Sequence, residues 1–257
     1  MPRILLAVES STDWLSVALF KGEELLVLKQ CEGSRLHASA LLPAIDEVLS
    51  QEGIGLDQLD AIGIATGPGS FTSLRIGLAT VKGLALGRSI LAVGVSTLEA
   101  MALGFFDDSG HEGEREVVTL LDARRGEWYA AAWTRPEVPT GLPKPTIPEG
   151  LYATTKLAEL RGGQAIVMTP DTAAWRKACD RTQRPAGRLV AEQAARPRAD
   201  AVGRLAARRL RLGEGVPMSK IEARYVRRAE AEAQRLGTPV EDGEVAEIGK
   251  VEEPRLS

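Results

Sequence analysis

The chain has 257 residues, of which 44% are hydrophobic and 26% are charged, and its formal net charge is -3. These values exclude fibrous, low-complexity and membrane-embedded classes and favour a soluble globular protein, for which we expect two lobes. Two cysteines are too few for a disulfide framework or a cysteine-based zinc site. The apolar run at the N-terminus is too short for a signal peptide or a membrane span, so we expect a cytoplasmic protein without membrane contact.

The first 104 residues alternate between strand and helix patterns, which we identify from apolar runs and from apolar residues at helical spacing. The predicted elements are strands at 4–8, 15–20 and 25–29, a helix at 39–50, a strand at 61–65, a helix after Ser70, a strand at 90–95 and a helix at 97–103. The order βββαβαβα predicts a mixed sheet with helix-covered parallel strands. Ligands collect at the carboxyl ends of such strands.

The second half of the chain has a less regular pattern, and we predict a second lobe over residues 105–229. Its predicted elements are strands at 117–121, 127–134 and 165–168, a short helix at 156–160, a proline-rich surface loop at 135–150 and a helix near 200–213. We expect that last helix to pack back on the first lobe. Acidic residues dominate residues 230–257, which predicts a disordered tail.

The segment between the strand at 61–65 and the next helix is a glycine turn, with Ser70 as the predicted N-cap. Such a turn aims unpaired backbone N–H groups at one point, a geometry that binds phosphate. However, the first lysine after the turn is Lys82, so it is no P-loop, and Thr72 stands where a Rossmann motif has its third glycine. Most such turns bind nothing, so phosphate binding remains one of two interpretations. The candidate contacts are Ser10, Thr12, Gly67, Gly69 and Ser70.

No catalytic residue and no metal site can be assigned from the residue pattern. The two histidines, His37 and His111, are isolated, and Leu41 stands where a second helical ligand would follow His37. Glu9 and Asp13 could hold Mg²⁺ through water, although we interpret them first as turn residues. The arginine-rich segment 176–228 could contact tRNA phosphates or could form a solvated face.

Four motifs occur in an order that resembles the TsaB (YeaZ) family, and the long second motif, ATGPGSFTSLRIG, is highly specific. The motifs lie at residues 4–12, 65–77, 94–99 and 121–125, with a weaker fifth match at 223–227. The resemblance implies a two-lobed α/β fold of the actin-like and Hsp70-like ATPases (the ASKHA fold). It also implies a role in making threonylcarbamoyladenosine beside the anticodon of tRNA.

In that family the chain is a non-catalytic partner of TsaD, which carries the metal and transfers the threonylcarbamoyl group, and the ATPase TsaE joins the complex. The resemblance therefore implies no cofactor for this chain itself, with ATP or ADP and the metal in TsaD or at the assembled interface. It also implies a homodimer when the chain is alone, and tRNA contact through the complex. Glu9 replaces the usual aspartate of the first turn, and Ser73 replaces a usual glycine.

The helix after Gly69 carries several small residues, and we predict that it forms the partner interface, because glycine inside a helix costs about 1 kcal/mol relative to alanine. The predicted interface residues are Thr72, Leu74, Arg75, Gly77, Thr80 and Gly83. The alternative is an autonomous ATP-dependent phosphoryl or carbamoyl transferase of the same superfamily. A peptidase finds no support, because the sequence indicates neither a zinc pair nor a nucleophile with its base.

Overall fold

The computed structural model describes residues 3–31 and 37–226. It contains two mixed sheets flanked by helices, which confirms the predicted α/β class with a mixed sheet in each lobe. The acidic tail predicted for 230–257 and the last residue of the fifth motif, Arg227, lie outside the described residues.

The strands, numbered along the chain, are β1 (Ile4–Glu9), β2 (Leu15–Lys21), β3 (Glu24–Cys31), β4 (Ala61–Gly67), β5 (Leu91–Ser96), β6 (Glu116–Asp122), β7 (Glu127–Thr134), β8 (Lys144–Ala153), β9 (Ile166–Met168), β10 (Arg188–Leu189) and β11 (Val216–Pro217). The α-helices are α1 (His37–Gln51), α2 (Phe71–Ala85), α3 (Thr97–Asp107), α4 (Thr154–Ala158), α5 (Thr172–Thr182) and α6 (Ala199–Arg211).

The first sheet has the strand order β11-β5-β4-β1-β2-β3. β1 pairs with β4 in parallel, and β4 pairs with β5 in parallel, whereas β2 and β3 complete an antiparallel meander. Every residue of β4 is buried, as expected for a parallel strand covered on both faces. Because β1 and β4 are parallel neighbours, the turns that follow them lie at the same edge of the sheet.

Helices cover both faces of the first sheet. One face packs against α1 and α2 through residues such as Val8, Ile64 and Val81, and the other packs against α6 through Leu5, Phe20 and their neighbours. The contact with α6 is close at Gly203, where an added Cβ would lie 2.1 Å from the Phe20 ring. The helix near 200–213 therefore packs on the first sheet, although it follows the second lobe in sequence.

The second sheet has the order β10-β9-β6-β7-β8, with β9 parallel to β6 and to β10. One face packs against α4 and α5, where the rings of Trp128 and Trp175 meet edge to face at 5.1 Å. The other face packs against α3 through Met101, Phe105 and other apolar side chains. α3 runs to Asp107, so it continues across the boundary that the sequence predicts at residue 104 and fills the space between the sheets.

The second lobe differs from the sequence prediction at β8 and α5, and the two-residue strand β10 was not predicted. Residues 144–150 belong to strand β8 rather than to a loop, and Pro145 and Pro148 are tolerated there because β8 lies at the sheet edge. Helix α5 was not predicted. Its buried residues are Trp175 and Cys179, and an apolar stripe of two residues is too short a signal to detect by periodicity.

Candidate functional site

The polar turns after β1 and β4 meet at one edge of the first sheet, as predicted. The backbone N–H of Ser70 donates to the carbonyl oxygen of Ser11 at 2.6 Å. Turns of the second lobe face them across a cleft of about 420 Å³. The cleft is lined by residues 11–14, Gly69, Ser70, residues 121–124, Tyr129, Pro170, Asp171 and Glu192.

Beneath the first turn lies a buried carboxyl group, that of Glu9. Its Oε1 accepts the backbone N–H of Ser11 at 2.6 Å, and its Oε2 has no hydrogen-bond partner among the described residues. Burial raises the pKa of Glu9 from 4.5 to about 7, against the lowering effect of the Ser11 hydrogen bond. Since Glu9 does not line the cleft, it is not positioned to hold a cation there.

The glycine turn packs directly against the first turn. An added Cβ on Gly69 would lie 2.1 Å from the carbonyl oxygen of Ser11, so glycine is required for this approach. Ser70 is the N-cap of α2, as predicted, and its side chain accepts from the Ser73 N–H at 3.4 Å. Two N–H groups at the start of α2, those of Ser70 and Ser73, thus already have partners within the chain.

Gly67 does not line the cleft, and the backbone of Arg224 packs against it. Its φ of 117° is in the left-handed region that favours glycine, and an added Cβ would lie 2.8 Å from the carbonyl oxygen of Arg224. The Arg224 N–H donates to the Thr66 carbonyl at 2.8 Å, so the C-terminal part of the described chain lies against this turn. The absence of a side chain at Gly67 therefore makes room for the Arg224 backbone rather than for a ligand.

The charge of the cleft lining is mainly negative. Asp13, Asp122, Asp171 and Glu192 line it together with one basic residue, Arg124, whose guanidinium lies 3.7 Å from Asp122. The protein packed around the Asp171 carboxyl and the nearby charge of Asp122 raise the pKa of Asp171. A lining of this sign repels a free phosphate anion, so the cleft does not resemble a phosphate cradle in its electrostatics.

The structure brings only some of the predicted contacts together. Thr12, Gly69 and Ser70 line the cleft, whereas Gly67 does not, and Ser10 is buried with its Oγ 3.4 Å from the Ser73 carbonyl oxygen. Sequence reasoning missed the contribution of the second lobe. Asp171 carried a usable signal, because it follows β9, a strand parallel to β6, in the same way that the first turn follows β1.

Among residues 3–31 and 37–226, no three histidine, cysteine or carboxylate side chains are grouped as metal ligands would be. The His111 ring stacks on Phe105 with ring centroids 4.2 Å apart, and the side chain of His37 is outside the described part. No helix in the described part of the chain has the length and apolarity needed to span a bilayer.

Several arginines of the basic segment 176–228 form ion pairs within the protein. Arg209 of α6 binds the buried Glu99 carboxylate with both distances below 3.0 Å, at 2.9 and 2.7 Å, and Arg204 pairs with Asp107 at 2.8 Å. These arginines attach α6 to α3, so they do not form a free basic face. The alternative of direct tRNA contact gains no support from them.

The two sides of α2 have different surroundings. Leu74 and Gly77 of the predicted interface are buried against the chain's own sheet, and an added Cβ on Gly77 would lie 2.1 Å from the Ser10 Oγ. Thr72, Arg75 and Gly83 are exposed, and Thr80 is partly exposed. The surface that a partner could reach is therefore narrower than the sequence predicts.

Comparison with known proteins shows which protein family this chain resembles. The family model described as "TsaD: tRNA N6-adenosine threonylcarbamoyltransferase" matches residues 31–175. The TsaB protein of Haemophilus influenzae is 40% identical over 52% of this chain and 55% of its own length, and that of Escherichia coli is 37% identical over 52% and 56%. The chain thus spans little more than half the length of the curated relatives that it matches.

Among solved structures, YeaZ from Pseudomonas aeruginosa superposes with a TM-score of 0.72 at 27% identity, covering 87% of this chain and 99% of that one. This match extends the likeness over both lobes and confirms the predicted actin-like two-lobed fold. The names TsaB and YeaZ are those of the family that the sequence motifs resemble. The chain therefore belongs to the threonylcarbamoyltransferase (TsaD) family and, within it, to the TsaB (YeaZ) group.

Proposed function

We propose that this chain takes part in adding the threonylcarbamoyl group to the adenosine next to the tRNA anticodon, as a non-catalytic subunit that binds and supports a TsaD-type transferase. The proposal rests on the family membership, on the names of the TsaB relatives and on the closed glycine turn. In this proposal a TsaE-type ATPase and tRNA join through the complex. ATP or ADP and the metal belong to the partner or to the assembled interface.

The single observation that carries the non-catalytic assignment is the contact between the two turns. The Ser11 carbonyl takes the Ser70 N–H and fills the space beside Gly69, where the phosphate of a nucleotide would approach α2. The acidic residues Asp122 and Asp171 face the same space from the second lobe. The first feature opposes autonomous nucleotide binding, and the second opposes binding of a phosphate group that carries no metal ion.

The observation that supports a binding role is the exposed side of α2. Nothing lies within 4 Å of a Cβ added at Gly83, so no contact inside the described chain requires glycine there. A helix normally avoids such a residue because of its conformational cost. Close approach of a partner helix offers a reason for it, and in the absence of TsaD the same surface serves a homodimer.

The cellular test is depletion of the chain in its own organism, followed by measurement of threonylcarbamoyladenosine in the tRNA. We expect the modified nucleoside to fall, and co-purification to recover the TsaD-type transferase with the chain. An unchanged amount of the nucleoside after depletion would contradict the functional assignment.

The alternative is an autonomous ATP-dependent phosphoryl or carbamoyl transferase. The observation in its favour is the inter-lobe cleft of about 420 Å³. Titration calorimetry of the isolated chain with Mg-ATP distinguishes the two functions. We expect no binding at micromolar concentrations. Micromolar affinity together with turnover by the isolated chain would favour the alternative.

A further inference from the structure

Two motifs that lie far apart in the sequence meet at the first turn of α2. Arg75 belongs to the motif at 65–77 and Tyr225 to the motif at 223–227, a separation of 150 residues, and the Arg75 Nε donates to the Tyr225 hydroxyl at 3.0 Å. Neither side chain lines the inter-lobe cleft. This contact therefore needs an explanation outside that site.

The Arg75 guanidinium lies over the Phe71 ring and beside the Tyr225 ring, and the two rings pack against each other. Its Cζ lies 3.7 Å from the centroid of the Phe71 ring and 5.7 Å from that of the Tyr225 ring, and the two ring centroids are 5.0 Å apart. Cation–π contact and the hydrogen bond together fix the orientation of a side chain that is otherwise among the most mobile. We call Phe71, Arg75 and Tyr225 the Arg75 cluster.

Tyr225 is itself held in place by its neighbours in the chain. The backbone N–H of Arg224 donates to the Thr66 carbonyl at 2.8 Å. The Nη1 atom of the Arg224 side chain lies 3.3 Å from Glu149 Oε2 in the second lobe. Ile221 is buried in the core beneath α1 and α2. The segment that carries Tyr225 is thus attached to the glycine turn and to both lobes, so the Arg75 cluster is a fixed part of the surface.

The cluster presents its polar groups to solvent. Arg75 is exposed and Tyr225 is 42% exposed. Within the described ranges, no carboxylate forms an ion pair with Arg75, in contrast to Arg204 and Arg209 of α6. A guanidinium whose Nε is occupied still has its two Nη groups, which can bind a carboxylate in two-point geometry. Because the side chain is already ordered, it loses little entropy on binding.

We propose that the Arg75 cluster is the polar anchor of the partner-binding side of α2, and that it binds a carboxylate side chain of the partner protein. Arg75 lies on the same exposed side of the helix as Thr72 and Ala79, and the open position at Gly83 follows on that side about 12 Å further along the helix axis. The inference rests on the proposed function and deepens it. It assigns the fifth motif a role in binding, because Tyr225 positions Arg75.

A protein partner fits this surface better than RNA does. A phosphate backbone is usually bound by several basic side chains together, whereas α2 carries only Arg75 and the partly buried Lys82, and the nearby Arg224 is paired with Glu149. The neighbouring exposed residues Ala79 and Gly83 are small, which suits contact with a packed protein surface.

The test measures the affinity of the full chain for the purified TsaD-type transferase of the same organism. We expect Arg75→Gln to weaken binding by about 10- to 100-fold, as removal of a charged interface anchor does. Tyr225→Phe removes one hydroxyl and should weaken binding by about 3- to 10-fold through loss of the Arg75 orientation. Arg176→Gln is the matched control, because Arg176 is an exposed helical arginine of the second lobe. The affinity of this variant for the transferase should equal that of the wild type.

A double-mutant cycle separates positioning from general structural damage. If Tyr225 acts through Arg75, then adding Tyr225→Phe to Arg75→Gln should change the affinity by less than about twofold. The thermal midpoints of all variants are measured alongside. Wild-type affinity in the Arg75→Gln variant, or additive effects of the two substitutions, would overturn the inference.

Two further outcomes are distinguishable. If the wild-type chain does not bind the transferase at all, the proposed function fails and this inference fails with it. If Arg75→Gln leaves transferase affinity unchanged but weakens binding of tRNA, the proposed function survives, and the anchor is for RNA phosphate rather than for a protein carboxylate.

Discussion

Gly77 and Gly83 belong to the same helix and have different reasons to be glycine. A Cβ at Gly77 would lie 2.1 Å from the Ser10 Oγ, whereas a Cβ at Gly83 would meet nothing within 4 Å. The fold of the chain explains the first glycine completely and leaves the second unexplained. The comparison teaches that small residues in a helix indicate a partner only where the chain's own packing does not require them.

The same contrast applies to the two sides of the glycine turn and α2. On the inner side the Ser10 hydroxyl donates to the Ser73 carbonyl, and the N–H groups of Ser11 and Ser70 already donate to Glu9 and Ser11. On the outer side Arg75 and Tyr225 form an ordered, solvent-facing cluster. We therefore expect substitutions on the inner side to change stability, and substitutions on the outer side to change association.

The largest effect is expected for Gly77→Leu. The new side chain would enter the buried space occupied by Ser10 and the Ile64 side chain, and overpacking of this kind costs about 3 kcal/mol or more of the free energy of unfolding. Urea unfolding of the isolated chain measures the change. Wild-type stability in this variant would show that the inner side of α2 is not closely packed.

Next in size is the effect of the buried Glu9 carboxyl on stability at neutral pH. In the folded state its pKa is about 7, and the ordinary value is 4.5. Its contribution to stability is fully present below about pH 4.5 and is lost as the pH rises to about 7, because over that range the unfolded state releases the proton first. The loss is on the order of 3 kcal/mol.

Glu9→Gln provides the check, since the amide oxygen can still accept the Ser11 N–H. We expect the variant to be more stable than the wild type at pH 8 and to lack the fall in stability between pH 5 and 7, as measured by urea unfolding at several pH values. Parallel curves for the two proteins would mean that Glu9 has an ordinary pKa.

A smaller loss is expected for Gly69→Ala. The added methyl group would lie 2.1 Å from the Ser11 carbonyl oxygen, a backbone atom that cannot rotate away, so the two turns must separate. We expect a cost of about 2 kcal/mol and faster hydrogen exchange of the Ser70 amide, which donates to that carbonyl. Unchanged exchange at Ser70 would contradict the closed arrangement of the turns.

The smallest effect on stability, with opposite sign, is expected for Gly83→Leu. Leucine is a better helix former than glycine, and a Cβ at this exposed position meets no atom within 4 Å, so the isolated protein should gain about 1 kcal/mol. Binding to the TsaD-type transferase should be lost, because the leucine side chain would prevent the close approach of the partner helix. Gly83→Ala is the matched control, which should gain stability while retaining most of the binding; full binding by Gly83→Leu would exclude this position from the interface.

The sequence predicted much of the first lobe correctly because its signals are local. Apolar runs and helical periodicity located β1 and α2, and the single residue Ser70 marked the start of the helix. In the second lobe the local signals are weak or misleading. Prolines obscured the edge strand β8, and α5 buries only Trp175 and Cys179.

The cleft was only partly predictable. The turns after β1 and β4 could be placed together, because the carboxyl ends of parallel strands share an edge. The position of Asp171 after β9 marks it as a strand-end residue, but whether Asp171 and Glu192 face these turns depends on how the second sheet lies against the first across α3. No periodicity within either segment encodes that arrangement.

By itself, the sequence determined the elements of the first lobe, the family motifs and the absence of a P-loop, because each depends on residues that are neighbours in the chain. Only the tertiary structure decided that Gly67 and Gly69 accommodate Arg224 and Ser11, that Gly77 faces inward, and that Arg75 meets Tyr225. The physical reason is that a side chain's surroundings depend on contacts between residues far apart in the chain, such as the 150 positions between Arg75 and Tyr225.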